Sequence, residues 1–220
     1  MIPVLIPIKE ISERCPQKNE YLLKYTLEYL EKTNRLNATW VISDSEKLLS
    51  LAQKRGAKVF KETVVIGQNE KHACWKFLQN SFFERIFICP VTQPFRDFSL
   101  LKKTEDLYDR EKVNIDFVTS VTLVPDREQF YVNIDKSECS FKLTKENRLG
   151  ATCMNTYMID GALYLINSNF LEECVNSEHC TNHFWNGRFA GAINNAPFID
   201  IDTEDDLNKF KYLEKYFEKI

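Results

Sequence analysis

Between residues 2 and 110, short apolar runs alternate with stretches whose apolar residues recur at helical spacing. That alternation restricts the chain to a mostly parallel sheet layered with helices. Ile2–Ile8 is apolar almost throughout, as a strand covered on both faces must be. Glu20–Glu31 sets Leu22, Leu23, Thr26, Leu27 and Leu30 along one helical face. Ala38–Ser43 reads as a second strand and Ser45–Arg55 as a helix that stops at Gly56, where a left-handed cap residue belongs. The pattern continues through Ala57–Phe60 (strand), Glu70–Phe83 (helix), Ile86–Cys89 (strand, closed by Pro90) and Ser99–Arg110 (helix). Crossovers of this length give a three-layer, mostly parallel, Rossmann-like α/β sheet.

The pattern changes after Phe117–Thr122. Residues 123–160 hold the short runs Gln129–Ile134 and Ser140–Leu143 between polar turns, which reads as a small β-excursion. Gly161–Ile166 returns to the core, Pro197–Ile201 is expected as the last strand, and Thr203–Lys219 as the closing helix. The 220 residues fit one domain, 1–220, with the excursion inside it. Ligands of such sheets sit at the carboxyl ends of the strands, so the informative loops begin at Lys9, Asp44, Pro90 and Asp200.

Composition narrows the function. The net charge is −3 with basic and acidic residues intermixed, which argues against a nucleic-acid partner but leaves small anions open. No apolar run reaches the length of a membrane span, and the apolar opening Met1–Ile8 is too short for a secretory signal. Seven cysteines without a C-x-x-C read as reduced thiols of a cytoplasmic protein. Only six glycines occur, the first at position 56, so both the P-loop and the dinucleotide fingerprint are absent. A phosphate site here must rely on side-chain cations and loop amides.

The loop after the first strand offers such cations. Lys9, Arg14 and Lys18 recur every four or five residues, with Ser12 and Asn19 as further hydrogen-bonding groups. Glu10 and Glu13 nearly cancel that charge, so a plain solvated loop is the competing reading. In Phe198-Ile-Asp-Ile-Asp-Thr-Glu-Asp-Asp206, strand alternation would put Asp200 and Asp202 on one face at a strand end. Two adjacent carboxylates favour a cation, and hard oxygen ligands suit Mg²⁺. Thr203 and Asp206 form a capping-box pair, and Glu204 to Asp206 complement a helix dipole. Cys174, His179, Cys180 and His183 match no common zinc spacing and read as a polar surface loop, and Cys153 has no arguable base partner.

Taken in order, these segments resemble the acylneuraminate cytidylyltransferases, the CMP-sialic acid synthetases. Ile6-Pro7-x-Lys9-x-x-Ser12-x-Arg14-x-Pro16-x-Lys18-Asn19 is similar to that family's opening motif. Ser43-Asp44-Ser45-Glu46 leading to Lys54-Arg55-Gly56-Ala57 resembles its second. Pro90-Val-Thr92-Gln93-Pro94-Phe-Arg96, Phe117-Val-Thr-Ser120-Val121, Asp160-Gly161-Ala-Leu-Tyr-Leu165 and Asp200–Asp206 resemble the remaining four.

The resemblance implies a nucleotidyltransferase sheet and transfer of CMP from CTP to a sialic-type sugar acid with release of pyrophosphate. It implies a nucleotide site of Lys9, Ser12, Arg14, Lys18, Asn19, Asp44 and Thr92, and a sugar site of Gln93, Arg96, Asp160 and Gly161. Mg²⁺ would be held by Asp200 and Asp202, and Lys18 would act in catalysis. It implies a homodimer whose excursion reaches the partner's site carrying an arginine, here Arg148. The chain departs from the family at Lys9 (arginine there), Glu10-Ile11 (glycines), Glu13 (a cation) and Pro90 (glutamine), and around Lys61–Val65, where an Arg-Pro motif is absent. Those departures keep open a non-catalytic member that binds a nucleotide sugar.

Overall fold

A computed structural model describes residues 1–12, 14–63, 65–124, 132–135, 140–143 and 156–217. Strands β1 (Val4–Pro7), β2 (Thr39–Ser43), β3 (Lys58–Lys61), β4 (Arg85–Ile88), β5 (Phe117–Val124), β8 (Thr156–Asn167) and β9 (Phe189–Ile193) form a seven-stranded sheet in the order β3-β2-β1-β4-β8-β5-β9. All neighbours are parallel except β8, which runs antiparallel to both β4 and β5. Within the excursion, β6 (Val132–Asp135) and β7 (Ser140–Leu143) pair as a separate antiparallel ribbon.

Among the described residues the α-helices are α1 (Lys18–Lys32), α2 (Glu46–Lys54), α3 (Glu70–Leu78), α4 (Leu100–Glu111), α5 (Ser168–Asn176), α6 (Cys180–Trp185) and, after the last strand, α7 (Glu204–Phe217). Alternation along the strands splits the core into two. Val4, Ile6, Phe87 and Cys89 face α1, α2, α4 and α7, burying Leu23, Leu49, Leu101 and Phe210 among them. Leu5, Ile86 and Ile88 face the other way, onto Phe77 of α3, Leu171 of α5 and Phe184 of α6. The result is three layers, as the apolar strands required. Gly56 ends α2 at φ 93°, which permits the left-handed turn. The five cysteines among the described residues are buried free thiols, and no described helix is long and apolar enough to cross a membrane.

Two expectations differ from the structure. Residues 197–201 are not a strand: Pro197 lacks an N–H, and among the described residues the one strand-like bond is Ile201 N–H to the Thr92 carbonyl at 3.0 Å. The edge strand is instead β9, whose Phe-Ala-Gly-Ala-Ile carries little β-propensity. Gly191 is required there, since a Cβ would lie 2.9 Å from Val121 Cγ1 on β5. The segment 174–183 is a polar surface loop only at 177–179: Cys174 and Cys180 are buried in α5 and α6, while His179 and His183 are exposed.

Candidate active site at the carboxyl ends of the central strands

Where β1 and β4 end, their loops diverge around a cavity of about 690 Å³. Pro7, Ile8 and Lys9 continue β1 into one wall, and Pro90 to Gln93 continue β4 into another. The β1 loop is tied at several points. Asp44 Oδ1 accepts from the Glu10 N–H at 2.7 Å, and Asn19 Nδ2 donates to the Lys9 carbonyl at 2.8 Å. These tethers hold Lys9, Ser12 and Arg14 on the cavity. Asp44 itself does not line it, so this expected nucleotide ligand instead positions the loop.

Lys18 sits in the first turn of α1, almost fully buried, and reaches across to the segment after β9. Its ammonium donates to the Ile201 carbonyl at 2.8 Å and lies 3.1 Å from Asp202 Oδ1. Arg14 Nη1 pairs with the other Asp202 oxygen at 2.8 Å. Ile201 is buried between the two aspartates, so the side chains alternate although no strand forms. Asp200 lines the cavity and is accessible to solvent. Partial burial, then the charge of Asp202, push its carboxyl above the ordinary value, with Lys18 and Arg14 offsetting this only in part. Among the described residues no donor hydrogen-bonds to the Asp200 carboxylate, and no group of three or more His, Cys, Asp or Glu side chains is placed to hold a metal. A free carboxylate such as Asp200 has the chemistry of a hard-cation ligand, one that would draw its other ligands from phosphate and water. Asp200 offers free oxygens, while Asp202 is already engaged by two cations.

On β8 the pairing with β5 slips between Thr119 and Val121, and the slack is taken up around Asp160 and Gly161. Gly161 has φ 69°, a conformation open to glycine. The buried Asp160 carboxylate accepts from Ser120 Oγ, from the Ala162 N–H at 3.0 Å and from Asn194 Nδ2 at 2.9 Å. Both residues line the cavity, but the Asp160 carboxylate is spent on holding this bulge. Thr92 and Gln93 also line the cavity.

Arg96, expected at the sugar, is held away from the cavity. Its guanidinium donates to the Ala162 carbonyl at 2.9 Å, to Thr26 Oγ1 at 3.3 Å and to the Pro90 carbonyl, and it lies over the Tyr29 ring. It is a buried brace between β4, α1 and β8. Arg148 lies outside the described residues.

The far wall was not foreseen. Asn69 caps α3 by accepting from the Lys71 N–H at 3.1 Å, while its own N–H donates to His72 Nδ1 at 3.2 Å. An Asn-x-x-His pair is not the usual Ser/Thr-x-x-Glu signal, so the helix start was not legible as a site. Asn69, Glu70 and Lys71 line the cavity, with Tyr164 of β8 and Trp185 of α6 nearby. Burial disfavours the charge on Glu70, but Lys71, 3.2 Å away, together with a backbone N–H and Lys9, outweighs it and holds the carboxyl below its ordinary value. Burial, with Glu70, Asp160 and Asp200 around it, pushes the Tyr164 hydroxyl up to about 12, so it is a neutral donor at physiological pH.

No protein-family model and no curated protein matches this chain. Solved structures do. A CMP:2-keto-3-deoxy-manno-octonic acid synthetase complexed with CTP superposes with a TM-score of 0.69 at 13% identity, covering 98% of each chain. A cytidylyltransferase from Leptospira borgpetersenii gives 0.67 at 16% identity, covering 98% of this chain and 87% of that one. The 2-C-methyl-D-erythritol 4-phosphate cytidylyltransferase of Thermus thermophilus gives 0.59 at 14% identity, covering 97% and 98%. At such identities the likeness establishes the α/β nucleotidyltransferase fold.

Proposed function

We propose that this protein is a cytidylyltransferase that couples CMP from CTP to the anomeric hydroxyl of a nonulosonic, sialic-type sugar acid. The observation that carries the reading is the shared cavity of the tethered cations Lys9 and Arg14 and the donor-free carboxylate of Asp200. A volume of about 690 Å³ suits a nucleotide with an acceptor beside it. A CMP-sugar-acid synthetase holding CTP and a cytidylyltransferase, both of the same fold, support the choice of nucleotide.

The sugar hydroxyl oxygen bonds to the α-phosphorus as its proton passes to solvent, the α-phosphorus bond to the bridging oxygen of the β-phosphate breaks, and pyrophosphate leaves. Lys9 and Ser12 hold the phosphates, and Arg14, whose side chain is 65% exposed, is free to swing from Asp202 onto them. Lys18 fixes Asp202 and the Ile201 backbone, so it is a positioning residue for the aspartate pair. Asp200 and Asp202 would hold Mg²⁺, which when bound offsets charge on the triphosphate. Thr92, Gln93 and Gly161 border the space left for the sugar.

The working unit in this reading is a homodimer, with the β6–β7 ribbon as the arm and Arg148 serving the partner's site. Exposed Leu123, Tyr157, Met158 and Ile159, on the strands that lead into the excursion, are the apolar surface such a dimer would cover.

Incubation with Mg²⁺, CTP and a panel of keto-sugar acids tests the reading through pyrophosphate release. Release with at least one acid is expected. Tight CTP binding with no release from any acid would favour the non-catalytic reading.

A further inference from the structure

At the β3 end of the cavity, two side-chain acceptors have no donor among the described residues. Glu62 follows β3 directly, its N–H donating to the Ser43 carbonyl at 3.0 Å, and its side chain lines the cavity at only 8% exposure. Among the described residues nothing donates to its carboxylate. Lys76, the foremost opposing cation, gives its ammonium to the Thr63 carbonyl at 2.9 Å instead. On the same loop, Gln68 lines the cavity with a buried Oε1 that has no donor. A buried acceptor such as Gln68 Oε1 is rarely left unpaired, and the Glu62 carboxylate opens onto the same cavity, so a ligand that brings two donors would serve both. Burial, reinforced by Asp44 and only partly offset by Lys76 and Lys9, pushes the Glu62 carboxyl up.

Position says which part of a nucleotide lies here. Asp200 is anchored beside β4 through the Ile201–Thr92 bond, and the cation loop belongs to β1. β3 lies three places from β4 in the sheet, about 14 Å at the usual strand spacing. With phosphates at the β1 loop and the acceptor beside Asp200, the nucleobase falls at the β3 end.

We propose that Glu62, with Gln68 on the same loop, reads the exocyclic amino group of the nucleobase and so selects cytosine over uracil. The inference rests on the nucleotide-binding reading above. A carboxylate accepts from cytosine N4, whose amino group carries two N–H donors for two acceptors. Uracil presents a carbonyl oxygen at that place, which a carboxylate lining the cavity repels. Both pyrimidines have the same size, so shape does not separate them.

Calorimetric titration of the full chain with CTP and UTP, each with Mg²⁺, tests this. The wild-type protein is expected to bind CTP about 10- to 100-fold more tightly than UTP. Glu62→Gln keeps the shape and gains an N–H, so it should bring the two affinities within about threefold, weakening CTP and strengthening UTP. An unchanged ratio in a folded Glu62→Gln protein would overturn the inference. Should that variant not fold, the wild-type protein with a triphosphate of 2-pyrimidinone riboside, which lacks the amino group, decides: binding equal to CTP overturns it. Equal binding of CTP and UTP by the wild type also overturns it while sparing the nucleotide-binding reading. No binding of either removes that reading as well.

Discussion

Lys18 and Asp202 are 184 residues apart in the chain, yet the buried Lys18 ammonium lies 3.1 Å from the Asp202 carboxylate and also donates to the Ile201 carbonyl at 2.8 Å. That contact fixes the aspartate pair to the first turn of α1. It joins the cation loop and the acidic segment into one site. Lys18→Met should therefore disturb both fold and function. Removing one partner of a buried pair costs about 3–5 kcal/mol, and the partial exposure of Asp202 reduces this to about 2 kcal/mol. Urea denaturation reads the first effect and pyrophosphate release the second, which should fall at least about 100-fold.

Asp200 and Asp202 should separate in their mutants. The Asp200 carboxyl has a raised pKa, so its ionised form works against folding above that pKa. Asp200→Asn is therefore expected to melt at or above the wild-type temperature at pH 7, the difference closing below about pH 4, where both side chains are neutral. Asp202→Asn instead loses charge opposite Arg14 and Lys18 and should melt lower. Both should lose Mg²⁺-dependent turnover. Thermal melts across pH, beside the turnover assay, check the contrast; a destabilised Asp200→Asn would contradict it.

Arg96 should behave as a structural residue. Its three acceptors and the Tyr29 ring are all protein groups, and leaving two carbonyls and a hydroxyl unpaired costs about 3 kcal/mol in Arg96→Ala. Lysine cannot span the same acceptors, so Arg96→Lys should recover little of this. Chemical denaturation measures both, and the folded fraction should keep its affinity for nucleotide.

Asp97 ties the start of α4 to the end of β9. It accepts from the Ser99 N–H and hydroxyl at 2.8 Å, Lys103 at 2.7 Å and Asn195 at 3.0 Å. Burial alone would raise its pKa, but these donors reverse the effect and hold it well below the ordinary carboxylate range. Its stabilisation is thus present above about pH 4 and lost as pH falls through the lower folded value. Asp97→Asn should cost about 1–3 kcal/mol at pH 7, and the gap to wild type should shrink below about pH 4. Denaturation curves at pH 3 to 7 follow that gap.

Much of the fold could be read in advance because its signals are local. The apolar run Val4–Ile8, the leucines of α1 and Gly56 each announce their own conformation. β9 could not be read, since Phe189–Ile193 is a strand only by lying against β5, where Gly191 makes room for Val121. The cation loop and the aspartates were legible as charge near strand ends. Their partners were not: that Arg96 turns inward, or that Asp160 is consumed by a bulge, depends on tertiary contacts with Ala162 and Asn194. The α3 wall and Glu62 were missed because a lone acid in a polar loop carries no sequence signal until burial is known.

The central claim is nucleotidyl transfer in the cavity shared by the β1 loop and Asp200. Phosphorus-31 NMR of the protein with CTP, Mg²⁺ and the keto-sugar acids tests it most directly. The CTP resonances should give way to those of pyrophosphate and one new phosphodiester, and Asp200→Asn should leave CTP intact. CTP that stays unchanged with every acid, or equal conversion by Asp200→Asn, would contradict it.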